Sequence, residues 1–352
     1  MPSSSVVSAL PGFVPGTFDG QMVRLATLGN SLPGLLEAGQ MAVTQRAAGA
    51  NQSVDIAAGS CLVDPRAATH QGVYLARLAA SFNTLADGGL TWTTSDPTNP
   101  RIDLLCVEVA DQDFSGSYTG FKFRVVDGTP NASAAHQLDA QYWPAIPTGL
   151  VPIAAVRRPA TSTTITTAMI SNLNPVGGGR AAGLYTTAAE TTTSTTYTRL
   201  ATPDALLVYV PSSTSRVRLF IEAHWKISVA SGTQGVTVYV DGAQLKYRNA
   251  TNGAPAVGGC ESTLATVYAR ITSSSIQSNS GATNQFFAAA AGSGSDVSDI
   301  TTGIAGNPTG TNAAHLEIGQ LASGWHLVEA RFKTSANTLT VRERRMSAEV
   351  IG

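Results

Sequence analysis

The chain has 352 residues, a formal net charge of −1 and only 13% charged residues, about half the usual fraction of roughly 25%. This balance excludes a basic field able to hold nucleic acid or an anionic membrane, leaves solubility to Ser, Thr, Asn and Gln, and suits burial against copies of itself or neighbouring subunits. The length points to two domains, and 34 Gly, 17 Pro and 7% aromatics fit an all-β chain with many turns.

Residues 1–40 are the least strand-like. Phe18, Met22, Leu25 and Leu28 recur at helical spacing, so a short helix is predicted over Thr17–Leu28, ended by Asn30 and Pro33-Gly34. From residue 41 the apolar period becomes two. Short strands are predicted at 41–46, 53–57, 60–64 and 72–78, and Ala86-Asp87-Gly88-Gly89 carries a hairpin-type turn signal. Next comes Asn99-Pro100-Arg101-Ile102-Asp103-Leu104, opening a buried strand over 101–109. A polar loop with Asp111 and Asp113 leads to a strand at 120–126 that closes on Val125-Val126-Asp127-Gly128-Thr129-Pro130. The Pro- and Ala-rich stretch 128–149 reads as an ordered loop lying on the sheet. Strands follow at 150–156 and 164–166, and Ala168–Leu173 reads as a closing turn of helix.

The pairing of an "NPRIDL" strand with a "VV-G-TP" segment resembles a family of actinobacteriophage minor tail and baseplate proteins. The order of the later segments, through Leu150–Val156 and Ile170–Leu173, extends the resemblance over roughly residues 10–175. It implies a β-rich, tail-attaching N-terminal domain over 1–175. Three consecutive glycines in Gly177-Gly178-Gly179-Arg180-Ala181-Ala182-Gly183 have high backbone entropy and nothing to pack, so 176–183 is read as a linker.

The C-terminal part, 184–352, alternates more clearly. Val217, Leu219, Ile221, Ala223, Trp225, Ile227 and Val229 fall on one side of a long predicted strand, with Arg218, Phe220, Glu222 and His224 on the other. A strand at 235–240 turns through Asp241-Gly242 into 244–247. Further strands are predicted at 262–271, 314–319, 325–333 and 338–350, and the Ser/Thr-rich stretches 186–198 and 273–283 read as loops or edge strands. This spacing suggests a jelly-roll-like β-sandwich. Its last strands, Trp325–Phe332 and Arg344–Ile351, are similar to those of trimeric jelly rolls at phage fibre and tail tips.

Little in the chain spells chemistry. Cys61, Cys106 and Cys260 are odd in number and form no CxxC, which argues against a zinc site or disulfide framework. Each is expected to be a small buried hydrophobe made in a reducing compartment. His70, His136, His224, His315 and His326 show no metal spacing and read as surface or interface residues. Asp111/Asp113 and Asp296/Asp299 lack the ligand set of a calcium loop. Gly292-Ser293-Gly294-Ser295 only approximates a nucleophile elbow and breaks off at Asp296. Arg342, Arg344 and Arg345, interrupted by Glu343, read as a salt-bridged strand surface. No run of 18 apolar residues spans a membrane, and Met1–Ser5 lacks the positive region of a secretory signal. No catalytic residue, cofactor or metal is therefore assigned.

One constellation points to assembly. Phe220 and Tyr239, extended by Tyr247 and Tyr268 where their strands neighbour, are read as an aromatic patch packing around a three-fold axis. Together with the resemblance, this implies a non-catalytic virion protein of the tail tip, synthesised in the bacterial cytoplasm and engaged in host adsorption. Its expected partners are two further copies of itself, other tail and baseplate proteins, and a host cell-surface glycan bound through avidity. A head fibre or decoration protein is the close variant. The competing class is a carbohydrate-degrading tailspike, which needs two carboxylates flanking a cleft; the long strand register of a β-helix tailspike is missing. A secreted lectin-like module is the third alternative, against which the missing secretory signal counts.

Overall fold

The computed structural model describes residues 32–37, 39–64, 72–90, 92–110, 120–175, 181–227, 233–247, 260–262, 268–276, 302–303, 309–319, 321–334 and 338–351. The helix expected at Thr17–Leu28 and the acidic pairs Asp111/Asp113 and Asp296/Asp299 lie outside these residues, as does the Gly292–Asp296 stretch. The fold is all-β. The chain divides into two compact units, Met1–Arg180 and Ala181–Gly352. Ala181–Gly183, expected to belong to the linker, instead open a strand.

The first unit holds β1 (Gly34–Leu35), β2 (Val43–Gln45), β3 (Val54–Ile56), β4 (Gly59–Val63), β5 (Tyr74–Leu78), β6 (Phe82–Asn83), β7 (Arg101–Ala110), β8 (Gly120–Val126), β9 (Leu150–Arg158) and β10 (Ile170–Asn172). They form three antiparallel sheets, β1-β4-β5, β2-β3-β6 and β10-β9-β7-β8. Strands β7 and β9 are buried along nearly their whole length, which is why their sequences read as continuous apolar runs. Pro152 sits inside β9, where it cannot donate to a ladder. The register with β7 slips by one residue between Leu105 and Cys106, opposite Pro152, the bulged setting in which a sheet tolerates proline. The side-chain amide of Asn172 accepts the Val43 N–H at 2.7 Å and donates to the Val43 carbonyl at 3.2 Å. In this way one side chain joins β10 to β2.

Two expectations are corrected here. Thr164–Thr166 is not a strand; Ile165 is buried and its N–H is taken by the Asn51 carbonyl at 2.7 Å, a loop contact without a ladder. Over 168–173 a single 3-10 turn, Thr167–Met169, gives way to β10, because Ile170–Asn172 pair with Val156–Ala154 of β9.

The second unit holds β11 (Ala181–Thr186), β12 (Glu190–Thr192), β13 (Asp204–Val210), β14 (Arg216–Ile227), β15 (Thr233–Val240), β16 (Ala243–Tyr247), β17 (Cys260–Ser262), β18 (Tyr268–Ile276), β19 (Thr302–Gly303), β20 (Thr309–Gly319), β21 (Gly324–Thr334) and β22 (Leu339–Ile351). One sheet runs β11-β22-β14-β20-β18 and the other β13-β21-β15-β16-β17. Counting β11, β13, β14, β15, β16, β20, β21 and β22 as first to eighth, the sheets read first-eighth-third-sixth and second-seventh-fourth-fifth. That is the order of a jelly roll, two Greek keys folded over one core. Strands β17, β18 and β19 form an excursion between the fifth and sixth.

The core lies between these sheets. Val217, Leu219, Ile221 and Ala223 of β14 are buried as their alternation predicts, as are Val236, Val238 and Val240 of β15 and Leu206, Val328, Phe332 and Met346. Each large aliphatic side chain so buried contributes about 1.5–3 kcal/mol. Asp241 and Gly242 take φ of +50° and +80°, the left-handed pair of a two-residue hairpin turn, and join β15 to β16 with Val240 opposite Ala243.

Candidate contact surface and buried charge clusters

The four aromatic residues predicted as one patch are divided between two sheets. Phe220 is on β14 and Tyr268 on β18, in one sheet; Tyr239 is on β15 and Tyr247 on β16, in the other. Consecutive strands of a jelly roll change sheets, so the outward positions of β14 and β15 point away from one another. This change of sheet between adjacent strands left no mark in the local alternation.

Tyr239 belongs instead to a cluster of cations, rings and one acid. With Val238 and Val240 turned inward, Tyr239 faces outward opposite Glu329. The Arg331 guanidinium lies 3.8 Å from the Tyr239 ring centroid, in cation–π range. Arg331 also donates from Nε and Nη2 to Glu329 Oε2 at 2.9 and 2.7 Å. Arg199 donates Nη2 to that oxygen at 3.0 Å and Nε to Oε1. Glu329, 1% exposed, is thereby closed on two guanidiniums. Lys333 Nζ sits 4.5 Å from the Tyr197 ring, and Tyr209 meets Trp325 edge-on at 5.1 Å. Burial raises the Tyr239 hydroxyl pKa, opposed by Arg331. The resulting cluster is aromatic and cationic, with its acid paired by both arginines.

Arg344 corrects the expected surface cluster. Glu343 takes φ +47°, and β22 gains one residue against β14 between Glu222 and His224. This bulge switches parity. Leu339 and Val341 are buried before it, and Arg344, Met346, Ala348 and Val350 after it. Arg344 therefore points into the sandwich, pairing with Asp204 at 2.8 Å and Glu190 at 3.3 Å and donating to the Thr202 carbonyl at 3.1 Å. Burial pushes Asp204 up to about 6, against the pull of Arg344. The surface reading does hold for Arg345, exposed with its guanidinium 5.3 Å from the Tyr185 ring centroid; further along β22, Glu349 pairs with Arg218 of β14 at 3.2 Å.

His326, expected at a surface, is 9% exposed. Its Nδ1 lies 2.7 Å from Asp241 Oδ2 and its Nε2 lies 2.8 Å from the Ala322 carbonyl oxygen. Cys61 and Cys106 are free and buried, and burial pushes both thiols far up. Among the described residues no group of three or more His, Cys, Asp or Glu is placed to hold a metal ion, and no helix is long and apolar enough to cross a membrane.

In the first unit the "NPRIDL" and "VVDGTP" segments interlock. Asp103, fully buried, accepts the Gly128 N–H at 2.8 Å and Arg101 Nε at 3.1 Å, and faces Arg158 Nη1 at 3.9 Å. Arg101 and Arg158 both donate to the Thr93 carbonyl, and Arg101 reaches the Thr94 carbonyl at 3.1 Å. Position 128 has to be glycine, because a Cβ there would overlap the Ile102 carbonyl oxygen. Burial raises the Asp103 pKa, offset by the Gly128 N–H and Arg101, and burial lowers that of Arg158, offset by Asp103.

No family model matches this chain, and no curated protein matches its sequence. Among solved structures, a chain from the "Structure of infectious bursal disease virus Gx strain" is similar at 11% identity over 91% of this chain and 76% of that one, with a TM-score of 0.12. Similarity at that level carries no argument about fold or function.

Proposed function

We propose that this chain is a non-catalytic structural protein of a phage virion, a minor tail or baseplate component that works as a trimer and takes part in host adsorption. The observation that carries the proposal is the interlock at Asp103. The residues that bear the tail-protein resemblance, Arg101, Asp103 and Gly128, fix two strands to each other and to the 93–94 segment. A motif made for architecture fits an assembly part. The C-terminal jelly roll is an architecture found in viral capsid and lectin domains, which supports the proposal by fold analogy alone. Glu329, Asp103 and Asp204 are each engaged by arginines, so none is poised as the free acid of a glycosidase pair.

Partners in this proposal are further copies of the chain, other tail and baseplate proteins, and a glycan of the host surface. Mass spectrometry of purified particles tests it: the protein is expected in fixed ratio to tail proteins, and particles that adsorb normally without it would overturn the assignment. Purified protein incubated with host-envelope polysaccharide is expected to release no reducing ends. Because Phe220 and Tyr239 lie in different sheets, Phe220→Asp and Tyr239→Ser are to be made singly. Light scattering then reports which outer face the trimer uses, and a trimer untouched by both removes these rings from the interface.

A further inference from the structure

Both ring nitrogens of His326 face acceptors. A carbonyl oxygen has no proton to give, so Nε2 donates to Ala322; a carboxylate also only accepts, so Nδ1 donates to Asp241. The imidazolium is the form that carries a proton on both nitrogens. The other Asp241 oxygen accepts the Leu327 N–H at 2.9 Å, and the Asp241 N–H donates to the Leu327 carbonyl at 2.9 Å. Four hydrogen bonds thus fasten the β15–β16 turn to the start of β21 and to Ala322 just ahead of it.

We propose that the His326–Asp241 pair is a proton-operated latch on the hairpin end of the C-terminal jelly roll, closed while the imidazolium persists and released when its proton leaves to solvent. The neutral ring keeps one N–H and turns one lone pair toward an oxygen at hydrogen-bond distance. Either the turn or the Ala322 segment then loses its tie, and that end of the sandwich opens locally. Among the described residues, two hydrogen-bond partners and one cross-strand neighbour are placed at the ring. They are the Asp241 carboxylate from the turn, the Ala322 carbonyl from the segment before β21, and Val208, the cross-strand partner on β13. Asp241 is the charged one. Burial disfavours the charged ring, but the hydrogen bond and charge of Asp241 outweigh it and hold the His326 pKa above its ordinary 6.5. The contribution of the latch is complete below that ordinary value and is lost as pH rises through the raised one. None of this depends on the virion assignment.

Two measurements on the full chain test the latch. In an NMR titration of the histidine ring signals, with His326→Gln identifying the relevant one, His326 is expected to titrate above free imidazole. Hydrogen exchange over 238–246 and 321–329, corrected for intrinsic base catalysis, is expected to lose about tenfold in protection through the same midpoint, the weight of one net hydrogen bond. Asp241→Asn keeps a residue that accepts positive φ; it is expected to drop the His326 midpoint and flatten the pH dependence. A wild-type His326 that titrates at or below free imidazole overturns the latch, as does protection that stays flat across its titration. Both overturning results are read on the unmodified protein, and the exchange result needs no variant at all.

Discussion

Asp103 has no exposed surface and balances two guanidiniums, one of them fully buried. Asp103→Asn leaves Arg101 and Arg158 short of a counter-charge in the interior. It is expected to destabilise the first unit by about 3–5 kcal/mol, read as a fall in the urea midpoint of its transition. The Asp127 carboxylate, 39% exposed beside Arg101, is the control, and Asp127→Asn is expected to cost under about 1 kcal/mol. Asp204 gives a pH signature. Its folded pKa, pushed up to about 6, lies above the ordinary 3.8. The second unit is therefore favoured below pH 3.8 and loses that share of stability as pH rises through about 6. Asp204→Asn is expected to flatten the urea midpoint over this window, and an unchanged slope would contradict the burial argument. The segments that hold Arg101, Asp103 and Gly128 were singled out in the sequence as a turn, a buried strand and a closing Asp-Gly. Their partner Arg158 was not, nor was the burial of His326 and Arg344. Those placements depend on strand register across the unit, which no local window contains.

Strand β22 owes its inward face to one inserted residue. Without the bulge at Glu343, either Leu339 and Val341 or Arg344, Met346, Ala348 and Val350 would turn outward, because a slip of one residue exchanges the faces of a strand. Deleting Glu343 is expected to abolish cooperative unfolding of the second unit. Glu343→Gly keeps the residue count and fits the positive φ, and is expected to retain it; circular dichroism through a urea titration distinguishes the two. Regular strands were legible where one face is wet, as in β14 and the β15–β16 hairpin. Strand β13 was not. Leu206, Leu207 and Val208 are all buried, with Leu207 opposite Leu327 on the outer side of its sheet, so the period-two signal vanishes. The bulge in β22, like the one opposite Pro152 in β9, is invisible to pattern counting because it changes parity inside an otherwise good strand.

At the scale of the whole molecule, every described ladder joins strands of the same unit: β1 to β10 pair among themselves, and so do β11 to β22. The second unit closes its own jelly roll around its own core. Among the described residues its buried arginine and glutamate are also neutralised internally, Arg344 by Asp204 and Glu190, and Glu329 by Arg199 and Arg331. Nothing in these networks asks for a residue below 181. Residues 181–352 expressed alone are therefore expected to unfold cooperatively, at a urea midpoint matching the corresponding transition of the full chain, which itself is expected to show two transitions. Failure of the isolated unit to fold would mean that its stability is borrowed, from the first unit or from other copies. For a protein proposed to work as a trimer, concentration separates these sources. A midpoint that climbs with protein concentration reports association, whereas one restored only by adding back residues 1–180 reports dependence on the first unit.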